Sequence, residues 1–532
     1  MKTVFRIMTK GKLTKFLLLI FSVLSISAGF LVIFANSMLR DLLDNHLIGL
    51  QFEGFSIAFI LTILIFISIF GLELISRYIH QNFIWGGQKN LLEHYLEKLL
   101  KAEYSFFLSR QPAEIYDNLN MATQMVAGLL GSFVSLISSF ISFIFYAAVV
   151  FMIDFYAGIL TIAFMPIYFF LTAPSNKSFM AVQHSLMKEH GKLSVVAYES
   201  LVSVGNIKTK NAFSFFIKRF SAIQDKIKKA KVKFNTMHQY LMGMSFLIRI
   251  IAPIIILFGT LHLSNSLSAN VGTVLILYIN IPLLLSNFMG IYDTYVEYRS
   301  GIPSIKKLDE FDEVKAETSG NIVLESGSFK SLETKNVKVI FENGQTVLVP
   351  DLIVLKGEKT IIYGESGVGK STLFNIIMGL LKNYEGDVLI NNINLRDIDI
   401  SSVRKVFGIS FQSYNVLGLS LRENISLGLD ISNQVYSKLI LISNLQELEE
   451  AKSVHQLNDK IVSGGEKSRL GLAQTLALNP DVLLIDETFS NIDQEMEANI
   501  IRHLLEEQSG KTILCISHRK SSEIFFDKVI QF

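Results

Sequence analysis

Nine consecutive residues, Gly364-Glu365-Ser366-Gly367-Val368-Gly369-Lys370-Ser371-Thr372, have the spacing of a loop that wraps phosphate. Glycines let such a loop curl until successive N–H groups face one anion. A helix starting directly behind it adds partial positive charge. Lys370 would then reach the β- and γ-phosphates of a nucleotide, and the Ser371 hydroxyl is a Mg²⁺ ligand. An acidic pair, Asp486-Glu487, closes the apolar run 482–485. Asp486 would hold the magnesium, directly or through water. Glu487 would orient and activate an attacking water. A helix-capping acid after a core strand is the bland alternative, and the loop upstream outweighs it. Between the two lies Val462-Ser463-Gly464-Gly465-Glu466, a second helix start able to face an anion. Ser490-Asn491-Ile492-Asp493 and Ser517-His518 follow.

These residues need a scaffold, and the flanking patterns supply one. Short β-type runs at 360–363, 482–485 and 512–516 each end at a chemical residue: the loop, the acid pair and His518. Helical patterns follow at 371–381 and 470–478. Strands alternating with helices read as an α/β domain. It is expected over 331–532, with 311–330 as linker and 1–310 as a separate domain.

The first 310 residues have a different character. The whole chain has 532 residues, of which 50% are hydrophobic and only 18% charged; its mean hydropathy is +0.41. That excludes a disordered chain and argues against a wholly soluble enzyme. The net charge of +2 gives no reason to expect nucleic acid, and one cysteine excludes an intrachain disulfide. Six apolar stretches, 16–35, 55–75, 134–153, 155–173, 240–261 and 271–292, meet the length needed to span a bilayer. The first is too long for a cleaved signal and reads as an anchor. Basic residues crowd the segment before it and the segment 174–238, so both termini and the long loops 76–126 and 174–238 are expected in the cytoplasm. Those loops look helical, as if the spans run on beyond the membrane. Segments 112–120 and 205–216 are the candidate reversal helices, and 302–311 should continue the sixth helix. Arg249 lies mid-span, where a charge is costly; it either lines a pathway for an acidic substrate or pairs with a neighbouring helix. Asn280, near Pro282, is a second pathway candidate. Glu73, four residues before Arg77, reads as a helix-surface pair.

In their order and spacing, the motifs of the second half resemble the nucleotide-binding domain of ABC transporters. The resemblance implies that 364–371 is Walker A, Gln412 the magnesium-sensing Q-loop, and Ser463 to Glu466 the signature. Asp486 and Glu487 fall in Walker B, Asp493 in the D-loop, and His518 is the switch histidine. Phe341 is the best match to the aromatic that stacks on adenine. With six spans and long cytoplasmic helices, the whole chain resembles an exporter of type IV fold: a six-helix membrane bundle fused to an α/β P-loop domain. The resemblance further implies ATP and Mg²⁺ as ligands. It also implies a second copy of the chain, because the signature of one copy closes over the ATP of the other, and residence in the lipid bilayer of a bacterial cell membrane. A peptide is the expected cargo, with a lipid, lipid-linked glycan or multidrug substrate as runner-up. An ATP-gated sensor or immunity component without transport stays open. Three departures stand out: Glu466 replaces the usual glutamine of the signature, no acidic glycine-bearing loop is evident at 454–461, and few residues follow His518. No cysteine precedes the first span, so no N-terminal cysteine-peptidase domain is expected and any leader is cleaved elsewhere.

Overall fold

The computed structural model describes residues 12–42, 55–108, 110–172, 176–263, 271–341, 345–365, 367–412, 414–452, 456–457, 462–490 and 492–532. Ser366, Asn491, most of 454–461 and the first eleven residues therefore lie outside the described residues. Two compact units emerge, Met1–Ala102 with Phe106–Ala316, and Glu103–Ser105 with Glu317–Phe532.

The first unit is all helix: α1 (Lys12–Asp41), α2 (Phe55–Leu100), α3 (Ser105–Leu108), α4 (Pro112–Ile153), α5 (Phe155–Thr172), α6 (Asn176–Val202), α7 (Val204–Thr209), α8 (Phe213–Leu263) and α9 (Val271–Asp312). Among the described residues, five helices are long and apolar enough to cross a membrane; the stretch 155–171 is shorter. The expected count of six is not confirmed: five helices qualify, and the fourth expected span, in α5, falls short. At 18 residues α5 reaches about 27 Å, against a hydrocarbon core of about 30 Å. Along α2, Phe59, Leu64, Ile67 and Phe70 are exposed. A lipid environment makes that arrangement stable, since every backbone polar group is satisfied inside the helix.

At 42 to 51 residues, α2, α4, α8 and α9 are longer than a bilayer core requires, and one expected reversal falls elsewhere. Pro112 does not open a transverse helix. It occupies the first turn of the 42-residue α4, with extended Gln111 as cap and Glu114 in the first turn. No further proline interrupts the chain before Asp154, and Ile115, Leu119, Ala122 and Val126 bury one stripe against α2. The four-residue α3 precedes it instead. The second reversal, α7, covers the front of the expected 205–216; residues from Phe213 onward already belong to α8. Asp154 joins α4 to α5 by serving both. Its N–H donates to Val150 O, and its Oδ1 accepts from the Ala157 N–H at 2.8 Å. Segment 302–311 does continue the last helix, where Lys98 Nζ meets Asp312 Oδ1 at 2.8 Å and Tyr95 O–H donates to Asp312 Oδ2. Glu73 and Arg77 form the expected exposed pair, 2.6 Å apart.

The second unit has two sheets. Strand β1 (Ser331–Ile340) pairs antiparallel with β2 (Thr346–Val349), β3 (Leu352–Leu355) and β5 (Tyr384–Ile390), and β6 (Ile393–Asn394) pairs with β5. The other sheet is wholly parallel, in the order β10 (Lys528–Gln531), β4 (Lys359–Tyr363), β9 (Thr512–Ile516), β8 (Val482–Asp486), β7 (Phe407–Ser410). Central strands β8 and β9 are buried along their whole length, as a sheet covered on both faces requires. Period-two alternation splits them. Leu484, Leu514 and Ile516 face a core shared with β1 and with α10 (Lys370–Ile377), the latter through Leu373 and Phe374. Leu483, Ile485, Ile513 and Cys515 face a second core with α15 (Gly464–Ala477) and α16 (Gln494–Glu507). Helices α11 (Ile400–Val406), α12 (Leu421–Ser426), α13 (Asn433–Ile442) and α14 (Gln446–Lys452) complete this unit.

Cys515 is 1% exposed, and burial pushes its thiol far above the usual range. Since thiol reactivity follows the thiolate fraction and access, N-ethylmaleimide should leave the native chain unmodified and add one label after denaturation. Mass spectrometry reads this directly, and a label on folded protein would contradict the packing.

Candidate functional site

Parallel pairing assembles the site. Strands β4, β9, β8 and β7 are neighbours running the same way, so their C-terminal ends lie along one edge. In open α/β sheets ligands bind outside that edge. The phosphate-type loop follows β4, His518 follows β9, the acid pair closes β8, and Gln412 follows β7. Residues more than 150 positions apart are gathered by strand order.

The loop adopts left-handed backbone at Gly367 (φ 90°) and Gly369 (φ 106°). At Gly369, which caps α10, a Cβ would lie 2.4 Å from Val347 Cγ1, so only glycine fits. Lys370 is 4% exposed, and its Nζ donates to Gly364 O at 2.8 Å and Glu365 O at 2.9 Å. The ammonium is thereby held over the loop mouth. Val368 and Thr372 flank this turn, half-buried. Ser371 Oγ donates to Asp486 Oδ1 at 2.8 Å. Burial raises the Asp486 carboxyl above its ordinary range; the Ser371 hydrogen bond opposes this, Glu487's charge adds to it, and Lys370 counters. Two convergent oxygen donors, one of them a carboxylate, fit a hard dication such as Mg²⁺.

Glu487 is the pivot. Its Oε1 lies 2.6 Å from His518 Nε2, and its Oε2 accepts from Gln412 Nε2 at 2.8 Å. With Glu487 ionised, the imidazole proton sits on Nε2. The backbone at Glu487 is left-handed (φ 48°), a conformation unfavourable for a residue with a side chain. Its N–H donates to Ile516 O, and the Ser490 N–H donates to Glu487 O, so both neighbouring segments enforce it. Strain of this kind is found at functional sites held by their surroundings.

Sequence reasoning missed the residues that brace this turn. Buried Thr488 donates its hydroxyl to Ser410 O at 3.1 Å, tying the turn to β7. Glu497, 2% exposed, accepts from Arg519 Nη1 at 2.6 Å and from Ser522 Oγ at 2.7 Å. Arg519 also donates to Ser490 O, and its own carbonyl accepts from Tyr363 O–H. The segment carrying His518 is thus bolted to the segment after Glu487. Glu497 is one α-helical turn beyond Asp493, and an acid there reads as ordinary helix surface.

Not every candidate joins the cluster. Ser463 caps α15 and forms a reciprocal capping box with Glu466, whose Oε2 accepts the Ser463 N–H at 2.7 Å. The unusual carboxylate of Glu466 thus lies against the helix N-terminus, where negative charge is stabilised. Gly464 is exposed and Gly465 half-buried. Helix α15 packs on one face of the parallel sheet and α10 on the other. Asp493 caps α16 by accepting the Met496 N–H. Phe341 lies just past β1, partly buried against the first core, its N–H donating to Gln345 O. In the membrane unit, Asn280 is fully buried and donates to Asn36 Oδ1 at 2.6 Å, tying α9 to α1 rather than lining a path. Arg249 Nε donates to Ser245 O at 3.3 Å, one turn back on its own helix.

A phosphate-wrapping ATPase fold joined to a bundle of bilayer-length helices defines a nucleotide-driven membrane protein. Residues 18–287 match the family described as ABC transporter transmembrane region, and residues 349–490 match ABC transporter. The chain therefore belongs to the ABC transporter family, as an integral membrane protein with its membrane domain fused to an ATPase coupled to transport. It is 27% identical over 396 residues to the "Uncharacterized ABC transporter ATP-binding protein YwjA" of Bacillus subtilis, covering 71% of this chain and 67% of that one. It is 25% identical over 476 residues to the "Iron-sulfur clusters transporter ATM1, mitochondrial" of Yarrowia lipolytica, covering 83% of this chain but only 64% of the relative. A solved bacterial Atm1-family ABC exporter with ATP bound has the same fold, with TM-score 0.86, 20% identity and coverage of 98% of this chain and 94% of that one.

Proposed function

We propose that this chain is one half of an ATP-driven exporter that works as a homodimer. The observation carrying the reading is the edge shared by β4, β9, β8 and β7, which brings Lys370, Ser371, Asp486, Glu487 and His518 to one nucleotide-sized locus. Dimerisation is supported by the placement of α15. A signature on the opposite sheet face from its own phosphate loop is free to serve a second copy's nucleotide.

In this reading the loop N–H groups and Lys370 cradle the phosphates. Ser371 and Asp486 would hold Mg²⁺, which neutralises phosphate charge when bound. Glu487 orients a water and accepts its proton as the γ-phosphate is attacked. His518 and Gln412 fix the Glu487 carboxylate through both of its oxygens. The lysines and Arg219 of segment 188–233 lie along α6 to α8, which supports a cytoplasmic location for that segment and the ATPase unit.

The peptide cargo expected from the sequence gains no support from the relatives. The cargo in the fungal relative's name is not carried over either. Among the described residues there is no group of three or more histidine, cysteine or acidic side chains able to hold a metal. Native mass spectrometry of the Glu487→Gln variant with ATP and Mg²⁺ tests the dimer. Two chains with two trapped nucleotides are expected; a lone protomer that turns ATP over would overturn it.

A further inference from the structure

His518 stands past the end of β9, on a segment with neither helix nor strand, and its side chain is 46% exposed. Burial of the ring therefore does little to keep Nε2 at 2.6 Å from Glu487 Oε1. The next residue supplies the restraint. The Arg519 guanidinium reaches two segments at once: Nη1 donates to Glu497 Oε2 at 2.6 Å, and Nη2 donates to Ser490 O at 3.3 Å. Tyr363 O–H holds the Arg519 carbonyl at 2.8 Å. The anchor is itself fixed, because Glu497 is 2% exposed on α16 and its other oxygen, Oε1, accepts from Ser522 Oγ at 2.7 Å. Ser490 is also the residue whose N–H donates to Glu487 O. One guanidinium thus joins the turn that carries the Glu487 carboxylate to the segment that carries its imidazole partner. A cavity of about 160 Å³ lies beside this contact, with Glu487, Ser490, Glu497, His518 and Arg519 in its lining. Without the tie, the His518 segment has room to move.

A largely buried ion pair adds little net stability over an apolar pair of the same shape. What this one adds is geometry, since the planar guanidinium offers its donors in a fixed fork. We propose that Arg519 is a positioning residue for ATP hydrolysis: anchored on Glu497 and Ser490, it fixes the His518 imidazole against the Glu487 carboxylate. A shift of about 1 Å at a reacting group can cost about 10²-fold in rate. Loss of Arg519 should therefore fall on turnover, while the nucleotide keeps Lys370 and the phosphate loop. The proposal rests on the reading of Glu487 as the group that activates water, and assigns a further residue to that same site.

Turnover, KM for ATP and affinity for a fluorescent ATP analogue are measured on the full chain in lipid nanodiscs. Arg519→Gln is expected to lower kcat roughly tenfold or more with KM and affinity unchanged. Arg519→Lys keeps the charge toward Glu497 and should recover part of that loss. The deciding comparison repeats Arg519→Gln in a His518→Ala background under single-turnover conditions. There it should add no further loss, because it acts through His518. An equal loss in both backgrounds overturns the proposal, and so does full turnover by a folded Arg519→Gln or His518→Ala chain. A lowered unfolding temperature with unchanged kcat would assign the pair to stability alone and overturn it as well. If Arg519→Gln does not fold, Arg519→Lys, which gives up the fork shared with Ser490 O, is read in its place. If His518→Ala leaves no measurable hydrolysis, the split between kcat and KM in the Arg519 variants decides. Glu487→Gln separates the two readings. Unreduced hydrolysis there refutes the role of Glu487, whereas an inert Glu487→Gln chain beside a fully active Arg519→Gln chain refutes only the positioning role.

Discussion

Replacing Glu487 by glutamine is expected to lower ATP turnover by roughly 10²–10⁴-fold, the range associated with a positioned general base, while nucleotide binding persists. The side chain keeps its length, so the loop, Lys370 and Asp486 are untouched. It loses the ability to take a proton from water. The neighbours also have to adjust. Glu487 accepts on both oxygens, from Gln412 and from His518. An amide can accept only on one, so its NH₂ would face one of these donors. His518 can absorb the change by moving its proton to the other ring nitrogen, which turns Nε2 into an acceptor. The fold should therefore survive, and the defect should lie in chemistry. Single-turnover phosphate release measured beside nucleotide binding separates the two. Unreduced hydrolysis would remove Glu487 from its assigned role.

The second large effect is expected at Lys370. Its ammonium is almost wholly buried and rests on two loop carbonyls. Lys370→Ala would remove a cation from the phosphate position and leave Gly364 O and Glu365 O without that donor. Truncating one partner of a desolvated charged contact costs about 2–5 kcal/mol, which corresponds to a loss of roughly 10²–10³ in nucleotide affinity near the middle of that range. Titration with a fluorescent ATP analogue reads this loss. Affinity equal to that of the unmodified chain would show that the lysine does not meet phosphate. A thermal-unfolding control distinguishes this from loss of the fold, since the hydrophobic cores on either face of the sheet are not touched.

Local spacing made the nucleotide site legible. The phosphate loop, the acid pair and His518 each follow a short apolar run, and these three runs became parallel strands within a residue or so of their expected limits. What escaped depends on tertiary packing. The left-handed backbone of Glu487 leaves no mark in sequence, because the residues that favour that region are glycine and asparagine. The Glu497–Arg519 pair joins residues 22 positions apart through a buried contact that no periodicity encodes. Helix α3, of four residues, is too short to show a repeat, whereas Pro112 looked like the start of a short element and opened a long one. In the membrane unit every span is apolar around most of its surface. The rotation of each helix, and so whether Arg249 turns to a path or back along its own helix, is set by its neighbours. The same holds for Asn280 and Asn36, which meet across 244 positions.

The placement of Cys515 gives the experimenter an unusual convenience. The chain's single thiol is entombed in the middle of the parallel sheet, between β4 and β8. Any cysteine engineered on the surface will be the sole reporter of a spin label or fluorophore, with no background substitution needed. Distances between such reporters, with and without nucleotide, can then be tracked in otherwise unaltered protein.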